Sequence, residues 1–285
     1  LSVNKLAEKL AAKVAAAKAT GPNMTEVTAG GGDYTPPEKG QAWARFVGYF
    51  EIGKHEKEYE GRKSTPNMAQ LVFELSGPNH PPLANGTPQR ITLEESLSFT
   101  EKANFPKIFA MMNYAGGATH IAELLGDAFI LDIFHKKSAD GKKTFATLKG
   151  GPKTQPVGNG YSIRGTTVQD TLTGKPVNIP VPEAATEIKA FMWDVADMDD
   201  WNSIYIEGKY DDRKDEKTGV VTPGKSKNVI QNKIMSAVNW KDHPLAAAVA
   251  ANGQEAEIPD AEDPERDEDS TPENAAAADP LASIG

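Results

Sequence analysis

Cysteine is absent from this chain of 285 residues. That excludes disulfides, thiolate nucleophiles and cysteine-held metals together, and it fits a reducing compartment. No apolar run approaches the roughly 20 residues needed to span a bilayer, so no membrane association is expected. The first 20 residues carry spaced lysines instead of a continuous apolar stretch and do not read as a secretory signal. Catalytic signatures are missing too: there is no GxxxxGK(S/T) phosphate loop, no GxSxG elbow and no HExxH helix. The five histidines (His55, His80, His120, His135, His243) never stand three or four residues apart. The dense carboxylates Asp194, Asp197, Asp199 and Asp200 lack the alternating spacing and turn glycine of a calcium loop, and read as a solvated acidic turn. The expectation is a protein that is not an enzyme, with no catalytic residues, no cofactor and no metal.

What is present is unevenly distributed. The formal net charge is −9, yet residues 253–285 hold eleven acidic side chains against Arg266 alone. Residues 1–252 are therefore close to neutral, and the imbalance belongs to a tail whose composition predicts disorder. A neutral body binds nucleic acid only where its cations gather on one face.

Hydrophobic periodicity divides the rest. Over 2–19, Leu6, Leu10 and Val14 recur every four residues beside Lys5, Lys9 and Lys13, predicting an N-terminal helical arm within 1–20. Gly21-Pro22 ends it, and 21–40, with three consecutive glycines and Pro36-Pro37, reads as a linker. Strands are predicted at 43–53, 67–77 and 89–99, short helices at 103–117 and 118–126, and strands at 128–137 and 142–150 across an Asp-Gly turn. Three strands, helix, two strands is the plan of the OB-fold, a five-stranded barrel. The expected fold is thus mainly β with short helices: an OB-fold-like core over 41–150, an elaboration over 151–252 packed on it, and a disordered acidic tail over 253–285. Within the elaboration a hairpin is expected around 172–175, a strand at 203–207 and an amphipathic helix at 228–240.

A protein that coats single strands needs cations to follow phosphates and flat rings to stack on bases. Two stretches supply both. The first hairpin carries Arg45 and Tyr49 on its strand, then Lys54, Lys57, Tyr59, Arg62 and Lys63 through the turn; the last carries Phe134, Lys136, Lys137, Lys142 and Lys143. Unbroken strand alternation puts Trp43, Arg45, Val47 and Tyr49 on one face and Phe46, Gly48, Phe50 and Ile52 on the other. The second set is the more apolar and is expected in the core, leaving Arg45 and Tyr49 on the surface. By the same parity Phe134 is a surface candidate and Ile133 is core.

Several of these stretches resemble an OB-fold family found in tailed bacteriophages. The shared features are a strand ending in a DLG-like triplet (Glu51-Ile52-Gly53), an E-x-x-Y/F-x-G-K/R turn (Glu56 to Arg62) and a W/F-E-L strand (Phe73-Glu74-Leu75). An S-L…K-(A/S)-N/K block (Ser96 to Asn104) and an LLG helix end (Leu124 to Gly126) follow. The resemblance covers about 40–150 and implies a phage single-stranded-DNA-binding protein of replication or recombination, in the host cell cytoplasm. Its acidic tail would compete for the binding face and recruit replication or recombination enzymes, and self-association into a homo-oligomer is compatible with it. The N-terminal helix and 151–252 are additions to that pattern. A virion structural or assembly protein without nucleic-acid binding is the alternative.

Overall fold

One strand of 15 residues, β1 (Gly40–Lys54), organises the fold. The computed structural model describes residues 35–253, apart from 60, 139–140, 142, 151–159, 211 and 215–218. The arm expected over 1–20, nearly all of the linker and the acidic tail lie outside the described residues.

After β1 come a small ribbon of β2 (Lys57–Tyr59) and β3 (Arg62–Ser64), then β4 (Asn67–Ser76), β5 (Arg90–Ser96) and helix α1 (Asn104–Met112). A 3-10 turn (Ile121–Leu124) leads to β6 (Ala128–Lys137) and β7 (Thr144–Thr147). Short pieces follow: β8 (Ile163–Arg164), β9 (Thr167–Gln169), β10 (Pro176–Asn178) and β11 (Lys189–Phe191). Helix α2 (Met198–Ser203), β12 (Arg213–Lys214), β13 (Val221–Thr222), α3 (Val229–Met235) and α4 (Ala246–Ala251) complete the order.

The molecule is mainly β. Its main sheet runs β5-β4-β1-β6-β7, antiparallel at every step, with β8 added to β6 and β11 added parallel to β1. Among the described residues no backbone pairing joins β5 to β7 at the two ends of the path. The sheet is therefore open, and the closed barrel expected from the element order is corrected to a curved sheet packed on α1.

The central strand reads both sides of its sequence. It pairs with β4 along nearly its whole length, but its other edge changes partner: β6 covers Gly40–Arg45, and β11 takes over at Gly48–Phe50. The change coincides with a bulge at Val47, where β4 steps from Phe73 opposite Phe46 to Val72 opposite Gly48. One extra residue bends the strand and exchanges its faces. Ala42, Ala44, Phe46 and, beyond the bulge, Tyr49 thus enter one core with Leu71, Phe73, Phe129 and the α1 residues Phe105, Ile108 and Met112. Val47, Phe50 and Ile52 enter a second core with Phe191, Trp201, Ile204, Ile230 and Ile234.

Residues 184–208 and 226–249 thereby cover the side of β1 and β4 opposite α1. Carboxylates anchor this layer. Glu74, buried on β4, accepts from Ala185 N–H (2.7 Å), Thr186 N–H (3.1 Å) and the Thr186 hydroxyl (2.6 Å). Charge-assisted bonds to a buried carboxylate are among the stronger ones. Replacing Glu74 with alanine strands both amides and is expected to cost about 2 kcal/mol. Urea unfolding, with amide exchange at Ala185 and Thr186, measures it; unchanged protection at those two amides would dismiss the clamp.

The segment 194–208 departs from the expectation. Asp197 caps α2, its carboxylate accepting from Asp199 N–H (2.9 Å) and Asp200 N–H (3.0 Å), while Asp200 accepts from Asp197 N–H (3.1 Å). This reciprocal capping box starts a helix, so the acidic turn is a helix start. The strand expected at 203–207 is instead the end of α2 and an irregular run whose Ile204 and Ile206 are buried in the second core. The hairpin expected near 172–175 is present as β9 and β10. Helix α3 stops at Met235, shorter than the stretch expected to 240.

Residues 209–225 form a separate unit. In it β12 pairs with β13, Tyr210 N–H donates to the Lys225 carbonyl (2.9 Å), and Gly224 N–H donates to the Asp212 carboxylate (2.9 Å).

Candidate nucleic-acid interface

The twelve residues singled out from the sequence fall into three environments. The first is the β2–β3 ribbon, where Lys57 pairs with Ser64, Glu58 with Lys63 and Tyr59 with Arg62. Arg62 and Lys63 are exposed. Lys63 approaches the Glu58 carboxylate at 3.8 Å, both ends in solvent, a contact worth about 0–1 kcal/mol that leaves the charge available to another anion. Lys57 is half-buried and Lys54, at the end of β1, is exposed. The side chain of Tyr59 lies outside the described residues.

The second environment is the outer end of β6 and β7. Lys136 and Lys137 stand opposite Phe145 and Thr144 and are exposed. Lys143 is exposed beside them, its carbonyl accepting from Ser138 N–H (2.9 Å); Lys142 lies outside the described residues. Phe134 is half-buried and covers Gly150, where an added Cβ would sit 2.5 Å from the ring. Ile133 is buried, as its parity predicts. Arg62, Lys136 and Lys137 make no side-chain ion pair among the described residues, so their charges face solvent.

Arg45 and Tyr49 form the third, and here the face assignment is corrected. Tyr49 is 1% exposed, because the Val47 bulge turns it into the first core. Its hydroxyl donates to the Glu51 carboxylate (2.8 Å). Burial first, then the charge and hydrogen bond of Glu51, push the phenol far above its ordinary pKa, so the ring stays neutral and inside. Arg45 does point away from that core, but its guanidinium is committed. It donates to the carbonyls of Pro182 (2.7 Å), Gly126 (2.9 Å) and Val181 (2.8 Å) and to Glu183 (3.0 Å). Trp43, on the same side, is half-buried against Gly77. A bulge leaves no mark in a run of alternating apolar residues, and only the presence of apolar residues at both parities (Phe46 and Tyr49, Val47 and Phe50) hinted at it.

The two basic elements sit at opposite ends of β1. The ribbon follows Lys54, whereas β6 pairs with Gly40 at Ile133 and runs four residues further to Lys137. Along β1 the contour between them is on the order of 45 Å. The outer side of β1, where Arg45 and Tyr49 were expected on the surface, is occupied by 184–208 and 226–249.

Near the ribbon end the 3-10 turn is held by a second capping box. Glu123 accepts from Thr119 N–H (2.9 Å), the Thr119 hydroxyl (3.0 Å) and His120 N–H (2.7 Å). These bonds hold its carboxyl below the ordinary glutamate value. The cap is intact above the unfolded-state pKa of about 4.3 and is lost as pH falls through the lowered folded value. Among the described residues no three His, Asp or Glu side chains gather as a metal site, and no helix is long and apolar enough to cross a membrane.

No protein-family model matches this chain, and no curated protein matches it.

Proposed function

We propose that the chain is a single-stranded-DNA-binding protein of bacteriophage replication or recombination, built on a partly open barrel of the OB type and acting in the host cytoplasm. The carrying observation is the pair of basic β-ribbons, Arg62 with Lys63 and Lys136 with Lys137, that project from the two ends of one curved sheet with their charges in solvent. Five antiparallel strands in one path, with α1 between the third and fourth strands of that set, support the OB reading. The phosphates of a single strand would engage both ribbons, with stacking at the β6–β7 end on the half-buried rings Phe134 and Phe145. Self-association along the strand is part of the same reading.

Binding of labelled oligo-dT, compared with a duplex across a salt series, tests it. Single-strand affinity should exceed duplex affinity and fall steeply as salt rises. Weak binding at every salt would leave the virion assembly role in its place.

The acidic tail enters as a competitor for the ribbons and as the contact for replication or recombination enzymes. About ten net negative charges attached to the same chain act at short range when salt is low. Removing 253–285 is expected to tighten oligo-dT binding by roughly tenfold at low ionic strength, with the difference closing at high salt. Weaker binding after the deletion would make the tail part of the interface instead.

A further inference from the structure

A cleft of about 290 Å³ opens at the ribbon end of the sheet, between β1, β4, α1 and the 3-10 turn. Of the twelve residues discussed above, only Tyr49 lines it. Its walls are aromatic. Phe105, Phe109 and Trp193 contribute rings, and Phe99 stands over it, 78% exposed, meeting Phe105 edge-on at 5.8 Å. A phenylalanine this exposed above an apolar recess leaves a ring face unused.

Its charge has one sign. Glu51 and Asp194 line the cleft together with His120, whose Nδ1 accepts from Ala122 N–H (3.2 Å), and no lysine or arginine does. Glu51 is held in place, accepting from the Tyr49 hydroxyl (2.8 Å) through one oxygen and from Trp193 N–H (2.8 Å) through the other. Each oxygen keeps acceptor capacity. Asp194 is exposed, and its carboxylate makes no hydrogen bond or ion pair among the described residues.

Carboxylates flanked by ring faces repel a phosphodiester and attract a cation, which gains from the rings as well as from the charges. The volume lies at the lower limit, about 300 Å³, of pockets that take small ligands. It has room for one long side chain and not for a helix. We propose that this cleft receives an arginine or lysine side chain presented by an extended segment of a partner protein. The site is distinct from the basic ribbons, so either can fail without the other.

The full-length protein, ¹⁵N-labelled, is titrated with acetyl-Gly-Leu-Arg-Leu-Gly-amide and with the same peptide carrying Glu in place of Arg. The readout is the Trp193 indole N–H resonance, assigned with Trp193→Phe. A saturable shift is expected with the arginine peptide and none with the glutamate peptide. Asp194→Asn and Phe99→Ala should each weaken the arginine peptide by roughly three- to tenfold and leave oligo-dT binding unchanged. Both positions are exposed, and a thermal melt of each variant checks that it is folded. Equal shifts with the two peptides, or no saturable shift at millimolar arginine peptide, overturn the proposal. So does a shift by thymidine or deoxyguanosine where the arginine peptide gives none, which would make the cleft a base pocket.

Discussion

Replacing Gly53 by alanine is expected to cost about 2–5 kcal/mol of folding stability, a large share of the roughly 5–15 kcal/mol typical of a domain. Two effects add. The backbone there has φ +82°, in the left-handed region, where any Cβ is strained by about 1–2 kcal/mol. The new methyl would also lie 2.4 Å from the Trp193 ring and 2.7 Å from Ala237 Cβ, and overpacking typically costs about 1–3 kcal/mol. Trp193 cannot retreat freely. Its N–H is bound to Glu51, its carbonyl accepts from His243 at 2.7 Å, and its ring meets those of His243 (4.6 Å) and Trp240 (6.2 Å) edge-on. Gly86 supplies the control: its φ is also +82°, but nothing lies within 4 Å of its missing Cβ. Gly86→Ala should therefore lose only the conformational share. Equilibrium urea unfolding of both variants separates the two contributions, and equal losses would show that the Trp193 contact carries no weight.

Gly53 also shows what alternation alone could and could not reveal. The strands at 43–53, 67–77 and 128–137 are legible because their apolar residues recur with strand spacing between clear turn signals, and they emerge as β1, β4 and β6 with shifts of a few residues. The two bulges of β1, at Val47 and next to Gly53, are not legible, because one extra residue leaves the composition of the run unchanged. They decide nonetheless that Tyr49 is buried and that Val47, Phe50 and Ile52 face a second core. That core draws on Phe191, Trp201, Ile230 and Ile234, up to 187 residues further along the chain from Val47. No local period encodes such a partnership, and β11 has only three residues with which to announce itself. The candidate site divides likewise. The charged ribbon tips were readable because solvent-facing cations depend on local sequence, whereas the commitment of Arg45 to the Val181 and Pro182 carbonyls and to Glu183 depends on where 181–183 returns.

Neutralising the two ribbons is expected to lower oligo-dT affinity about a hundredfold near 50 mM salt, in two nearly equal steps. Each phosphate contact to a single strand contributes about 0.7 to the slope of log affinity against log salt. Arg62→Ala with Lys63→Ala should thus flatten the slope by about 1.4, as should Lys136→Ala with Lys137→Ala, and the four together by about 2.8. All four side chains are exposed, and the one ion pair they make among the described residues, Lys63 with Glu58, is a weak surface contact. Folding stability should then stay within about 0.5 kcal/mol of the parent. The separation of the ribbons along β1 adds a length dependence that a single compact patch would not have. An oligonucleotide of about 4–6 nucleotides, at the lower end of the site sizes known for OB-folds, reaches one ribbon at a time, so each double variant removes only part of its binding and the quadruple removes nearly all. One of about 16 nucleotides engages both, and the losses from the two doubles multiply. Fluorescence anisotropy with the two lengths across a salt series reads both effects. An unchanged slope in the quadruple variant would take the ribbons out of the interface, and identical behaviour of the short and long oligonucleotides would show that the two ribbons do not act on one strand.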